Sequence, residues 1–216
     1  MGQTTSTDGI VAVLRDRIAA HQLAPGSRLR EHDLVNEFGS SRARIREVLS
    51  ALEERGLIER IPNRGAVVIR LEPAQVLELF NVREVLEGLA VRLATEHQPP
   101  ESWQDLVDLF AGPMHQAIES NDFEAYIDGL ATLRARMISG ADSPLLTSLL
   151  DRIHDQTRVL IRRLVILPGR ASQGLAEHGE MLAAMRAGEA ERAEELKRAN
   201  IRSSRATFDT YQHFVL

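Results

Sequence analysis

Apolar residues recur at helical spacing from the start of the chain. Ile10, Val13, Leu14 and Ile18 stand at i, i+3, i+4 and i+8 and predict a helix over residues 8–20. The stretch Leu23 to Ser27 breaks that pattern with Pro25-Gly26, and residues 31–38 predict a short second helix that Gly39 can end in a left-handed turn. Ser41 is placed to cap a third helix, in which Ile45, Val48, Leu49 and Leu52 form the apolar stripe and Gly56 the stop. The pattern then loses its helical period. Leu57 to Ile61 and Ala66 to Arg70 are β-prone runs separated by Pro62-Asn63-Arg64-Gly65, which predicts a hairpin.

From residue 76 onward only helical periodicity is found. Pro99-Pro100, Asn121-Asp122, Ser143-Pro144, Pro168-Gly169 and Gly188 interrupt it, predicting helices over 75–97, 101–119, 122–139, 144–166, 171–187 and 189–213. The fold class that follows is mainly α. A winged helix-turn-helix spans residues 1–71, a linker 72–75, and an antiparallel bundle of about six helices residues 76–216. At 216 residues the chain can bury two modest cores. Aromatic residues make up only 4%, so Leu, Ile, Val and Ala must build those cores, which suits helix-on-helix packing.

The formal charge of −5 argues against a protein that coats nucleic acid generally, but it is unevenly spread. Residues 1–70 carry eleven Arg against nine acids, and residues 71–216 carry fifteen basic residues against twenty-two acids. Within 40–70, seven Arg face four Glu, so polyanion binding belongs there. The absence of cysteine excludes disulfides and thiolate metal sites and fits a reducing compartment. Apolar runs such as Leu164 to Leu167 are too short to span a bilayer, and the polar start lacks a signal-peptide core. A cytoplasmic protein with no membrane partner is expected.

Arg42, Arg44 and Arg46 fall in the first turns of the third predicted helix, the end that a helix-turn-helix points at base edges. Guanidinium groups bridge phosphates or fork onto guanine, and the small Ala43 between them permits close approach to the groove. Asn63, Arg64 and Gly65 at the wing tip are placed to reach the minor groove or backbone. The plainer alternative is a solvated Arg-bearing helix beside Glu47, Glu53 and Glu54.

The motif Pro25-Gly26-x-x-Leu29-x-Glu31, followed by Leu34, Phe38-Gly39, Ser41-Arg42, Arg46-Glu47-Val48-Leu49, Leu52-Glu53, Gly56-Leu57 and Pro62-Asn63-Arg64-Gly65-Ala66, resembles the GntR family of bacterial transcription regulators. The resemblance implies DNA contacts by His32, Ser41, Arg42, Arg46 and Asn63 to Gly65, with Ala43 at a position that tunes sequence choice. Two residues depart from the family pattern. Ser40 replaces a buried Val, and Arg44 replaces a common Pro, making the helix start wetter and more basic.

Downstream, Arg83-x-x-Leu86-Glu87, Asp128, Glu177-His178 and the 180–200 helix resemble the FadR-type subfamily, whose FCD domain binds effectors, often carboxylates. Many members hold a divalent metal with an Asp, a His four residues later and two further His. Asp128 and His178 match that set, while Thr132 and Asn200 stand at the other two positions. A hydroxyl and an amide are weak ligands for a transition metal. The resemblance therefore implies a depleted metal site at Asp128 and His178. It also implies a cavity in which Arg83, Asp128, Thr132, His178 and Asn200 meet the effector directly.

The same residues admit plainer readings: Asp128 as a solvated acid, His178 as an interior histidine, and the Leu and Met residues of 175–196 as core. An enzyme using Asp128 and His178 is disfavoured, since no nucleophile motif or phosphate-cradling loop accompanies them. A protein-interaction module is a further alternative. The expected function is a ligand-responsive transcriptional regulator. It would bind a palindromic DNA operator as a homodimer, with a small organic acid as effector and the segment Leu71 to Ala74 transmitting the signal.

Overall fold

The computed structural model describes residues 6–62 and 64–215; the wing-tip Asn63 lies outside them. The described chain divides into two compact units. In the first, helix α1 (Thr7–Ala19) is capped by Ser6, whose hydroxyl accepts the Gly9 N–H at 3.1 Å. Helix α2 (Glu31–Phe38) ends at Gly39 with φ 58°, the predicted left-handed cap, and helix α3 (Arg42–Glu54) follows at once. Ile10, Leu14, Ile45, Val48 and Leu52 are fully buried together with Ile58 and Val68 of the sheet. Each such side chain contributes roughly 1.5–3 kcal/mol relative to exposure.

The sheet has three antiparallel strands in the order β1 (Arg28–Leu29), β3 (Gly65–Val68), β2 (Ile58–Ile61). The predicted hairpin is β2–β3, in the register Ile58↔Val68 and Ile61↔Gly65. Strand β1 was not legible as a period because two residues have none. It exists through its pairing, Arg28↔Val67 and Leu29↔Ala66.

The second unit contains α4 (Pro73–His97), a 3-10 turn at Pro100–Trp103, α5 (Gln104–Ala111), α6 (Pro113–Glu119), α7 (Phe123–Ala141), α8 (Pro144–Val165), α9 (Arg170–Arg186) and α10 (Ala190–Val215). Residues 152–159 in the middle of α8 group with the first unit. Helix α10 packs along α4 and α9, and α7 along α4. Their shared core includes Ala90, Val91, Ala94, Trp103, Leu133, Met181 and Met185. Gly129 lets α6 approach α7, for a Cβ there would lie 1.9 Å from Met114 Sδ.

Three expected boundaries differ. Pro73 begins α4, so residues 73–75 of the expected linker are helix; Pro at the first helical position lacks only an N–H with no helical acceptor. The single helix expected over 101–119 is broken at Gly112-Pro113, where proline cannot donate and its ring clashes with the preceding turn. Helix α10 runs to Val215 with a kink at Tyr211, where φ is −116° and ψ 18°. Among the described residues no helix is long and apolar enough to cross a membrane.

Candidate nucleic-acid interface and an interior polar cluster

Helix α3 is oriented by its buried stripe and pinned by its cap. The Ser41 hydroxyl accepts the Arg44 N–H at 3.2 Å, fixing the first turn in which Arg42, Ala43 and Arg44 stand exposed. Arg42 has no ion-pair partner among the described residues. Arg46, also exposed, donates from Nε to Glu31 at 3.1 Å. An ion pair so open to water is worth little, so a phosphate can compete for that guanidinium. His32 is exposed on α2, with its ring 3.3 Å from the Asn36 amide and 3.5 Å from Asp33. In the hairpin Arg64 is exposed and Gly65 has φ +77°.

These groups occupy α2, α3 and the hairpin of one unit. Sequence reasoning missed a neighbour of the wing: Arg28 on β1 runs within 3.9 Å of where a Cβ on Gly65 would be. Only the β1–β3 pairing brings it there.

The second unit buries an unusual amount of charge. Arg83 Nε donates to Glu87 at 2.7 Å, and Lys197 Nζ pairs with the other Glu87 oxygen at 2.9 Å. Burial pushes the Glu87 carboxyl up, but the Arg83 and Lys197 charges overcome this and hold it well below the carboxylate range. Arg170 Nη2 donates to Glu177 at 3.1 Å and to the Ser204 hydroxyl at 2.8 Å, while the Asn200 amide reaches Glu177 at 2.6 Å.

His178 lies within the electrostatic reach of Lys197, Arg170 and Glu87, and its Nδ1–H donates to the Gly174 carbonyl at 2.7 Å. Burial first, then the Lys197 charge, pushes its pKa down to about 3, against the opposing Gly174 hydrogen bond. Its ring centroid is 5.7 Å from that of Phe110. Tyr126, in the field of Arg170 and Glu177, donates to the Ala171 carbonyl at 3.2 Å; burial pushes its phenol up to about 12.

Of the five expected effector residues, Arg83, His178 and Asn200 are buried in this cluster. Asp128 and Thr132 are not: both are exposed on α7, and the Thr132 hydroxyl is used on the Asp128 carbonyl at 3.0 Å. Tyr126, Gly129, Leu133 and Met137 take the buried face of that helix, which turns Asp128 and Thr132 outward. The donors do not fit a divalent metal. Asp128 is exposed on α7 whereas His178 is buried, Lys197 and Arg170 oppose a further cation beside the imidazole, and among the described residues no three His, Asp or Glu side chains are placed to hold an ion.

Sequence reasoning missed Arg170 and Lys197. A signal existed, for each is a charge inside an apolar helical stripe: Lys197 between Ala193 and Ile201, and Arg170 ahead of Gly174, His178 and Met181.

Comparison with known proteins agrees with both units. The profile described as bacterial regulatory proteins, gntR family, matches residues 6–68, and that of the FCD domain matches residues 78–203. An uncharacterized HTH-type transcriptional regulator of Agrobacterium vitis is 29% identical over 133 residues, 58% of this chain and 77% of that protein. The HTH-type transcriptional regulator McbR of Escherichia coli is 26% identical over 140 residues, 65% of this chain and 63% of its own. A solved structure of E. coli McbR/YncC superposes with a TM-score of 0.78 at 23% identity, covering 95% of this chain and 98% of the other. One from Rhodococcus sp. RHA1 gives 0.74 at 22%, covering 94% and 97%. These likenesses establish the fold, and the relatives are transcriptional regulators rather than enzymes. With a winged helix carrying an Arg-rich third helix and an FCD bundle behind it, the chain belongs to the GntR family of bacterial transcriptional regulators.

Proposed function

We propose that this regulator binds a palindromic operator as a cytoplasmic homodimer and that a small organic acid held in its helical bundle alters operator affinity. The observation that carries the DNA-binding part is the first turn of α3: Arg42, Ala43 and Arg44 are exposed opposite a stripe that is buried almost completely. That is the disposition in which a recognition helix presents its N-terminal side chains to base edges. His32 on α2, Arg46 and the wing residues Asn63, Arg64 and Gly65 supply backbone and groove contacts in this reading.

For the homodimer, Val82, Val85 and Leu89 stand on one side of α4 and are 47%, 49% and 38% exposed. Apolar side chains repeated along one exposed helix face mark an interaction surface. A two-fold protein then calls for two half-sites. The bundle supports the effector reading through its buried charged cluster. The cluster draws Arg83 and Glu87 from α4, the helix that follows Glu72 directly, so a ligand that displaces α4 acts on the chain leading to the DNA-binding unit.

The experiment is selection of genomic fragments on the purified protein, followed by titration of the recovered site. Arg42→Ala is expected to weaken that site by about 1–3 kcal/mol. Unchanged affinity would remove Arg42 from the reading helix, and absence of any sequence-selective retention would favour a protein partner over DNA. For the assembly, sedimentation of the wild type should give a dimer and Val85→Glu a monomer. A dimer in both would take α4 out of the interface.

A further inference from the structure

We infer that Arg28 on β1 is a further DNA contact of this protein, its guanidinium holding a backbone phosphate beside the groove that the wing enters. The inference rests on the reading of α3 and the hairpin as the DNA-binding face, and it adds to that face a residue outside both.

Geometry is the first argument. Strand β1 is clamped by its neighbour: the Gly26 N–H donates to the Val68 carbonyl at 2.8 Å and the Val68 N–H to the Ser27 carbonyl at 2.9 Å, so Arg28 stands opposite Val67 in a fixed register. Leu29, Ala66 and Val68 turn into the core of the unit. Side chains alternate along a strand, so Arg28, Val67 and Gly65 share the other face. Along that face the Arg28 side chain reaches the wing, where Nε and Nη2 each lie 3.9 Å from the place a Cβ on Gly65 would take. A long stem laid on a fixed strand delivers the charge to one spot beside the turn.

Charge is the second argument. Among the described residues, five of the eleven Arg of residues 1–70 pair with carboxylates. The exposed guanidinium of Arg28 pairs with none. An acid stands in the same row of the sheet, Glu59 on the far side of Val67, yet the Arg28 head lies at Gly65 and makes no ion pair with it. Arg64, next to Gly65, is exposed and likewise without an ion pair among the described residues. Two cations at one wing, neither held by a carboxylate, raise a local positive potential that an anion relieves.

The position of Arg28 selects phosphate over a base edge. A wing that enters a groove brings its flank against the phosphates lining that groove, and such contacts fix register without reading sequence. Arg28 lies beside the turn, and its planar fork meets a phosphate with two parallel N–H donors. Arg70 is the internal control. It too is exposed and unpaired among the described residues, but its Nη2 lies 4.0 Å from where a Cβ on Gly26 would stand, at the opposite end of the β1–β3 pair.

The test is anisotropy titration of the full-length protein across a series of NaCl concentrations. Its probes are the genomic fragment most strongly retained and a duplex of the same length and composition in shuffled order. Arg28→Gln should weaken both duplexes by a similar factor, about tenfold, and lower the slope of log affinity against log salt by about one for each DNA-binding unit engaged. Arg28→Lys should keep the slope and lose only part of the affinity, and Arg70→Gln should leave the slope as in the wild type. On the retained fragment, a neutral methylphosphonate moved along the backbone should find a position that weakens the wild type and leaves Arg28→Gln unaffected. Thermal melting by circular dichroism checks folding, with Arg28→Met used in place of Arg28→Gln should the latter not fold. The inference is overturned if the folded variant keeps the wild-type slope and affinity, if it changes the preference among base pairs, if Arg70→Gln lowers the slope equally, or if no phosphate is coupled to Arg28. An unchanged Arg28→Gln beside a weakened Arg42→Ala overturns this assignment and leaves the DNA-binding reading, whereas absence of any retained fragment overturns both.

Discussion

At the scale of single residues, the departures from the family pattern have different physical weight. Ser40 takes the position of a buried Val and is itself 9% exposed, with a hydroxyl that finds no hydrogen-bond partner among the described residues. A buried unsatisfied hydroxyl costs on the order of 1–3 kcal/mol. Ser40→Val is therefore expected to raise the unfolding free energy by about 1 kcal/mol in urea titration, allowing for imperfect packing of the added methyls. Lower stability would show that the site has no room for them. Arg44, the other departure, keeps an N–H that proline would lack, and that N–H is the one Ser41 accepts. The cap and the extra positive charge thus come from the same substitution. Both features were legible in the sequence as positions, but that the Ser40 hydroxyl goes unsatisfied depends on what surrounds it.

At the scale of elements, helices were readable where an apolar stripe met a cap or a breaker: α1, α2, α3, α7, α8 and α9 begin and end within two residues of their expected limits. The hairpin was readable because Gly65 can adopt its φ of +77° without strain. Gly65→Ala is expected to cost about 1–2 kcal/mol of stability, since an L side chain is strained in that region. The nearest atoms of Arg28 lie 3.9 Å from the added Cβ, so steric collision adds nothing to this. A loss below about 0.5 kcal/mol, the level of an ordinary surface change, would mean that the turn relaxes to another form. Two elements escaped the sequence. Strand β1 is too short to carry a period, and the break between α5 and α6 at Gly112-Pro113 sits within a stretch whose apolar spacing continues across it, from Leu106 and Phe110 to Met114 and Ala117.

At the scale of the whole molecule, buried ionisable groups set the response to acid. His178 has its pKa lowered to about 3 by burial and by Lys197 and Arg170, against about 6.5 in an unfolded chain. Below pH 6.5 the unfolded chain takes up a proton that the native chain refuses, so stability falls as pH drops from there toward 3. By pH 5 this amounts to on the order of 2 kcal/mol. Glu87 is depressed in the native state, so its contribution is present above the ordinary carboxylate range and is lost only at lower pH. The melting temperature should therefore decline between pH 7 and pH 5, and His178→Gln should flatten that limb. Equal slopes in wild type and variant would assign the decline to other groups.

Apart from β1 and the α5–α6 break, the order of elements, together with the winged helix, the helical bundle and the Arg-rich start of α3, was determined by the sequence alone, because stripes, caps and turn residues are local and each writes its own period. Which polar residues share the interior was decided by tertiary structure. The family resemblance implied Asp128 and Thr132 as partners of His178, but the face of α7 that packs is the one carrying Tyr126, Gly129, Leu133 and Met137. Arg170 and Lys197, on two different helices and 27 residues apart in number, entered the cluster only because α9 and α10 pack together. Burial then turned two ordinary charges into strongly interacting members of an interior network, since the dielectric around a charge is a property of the packing and not of the chain.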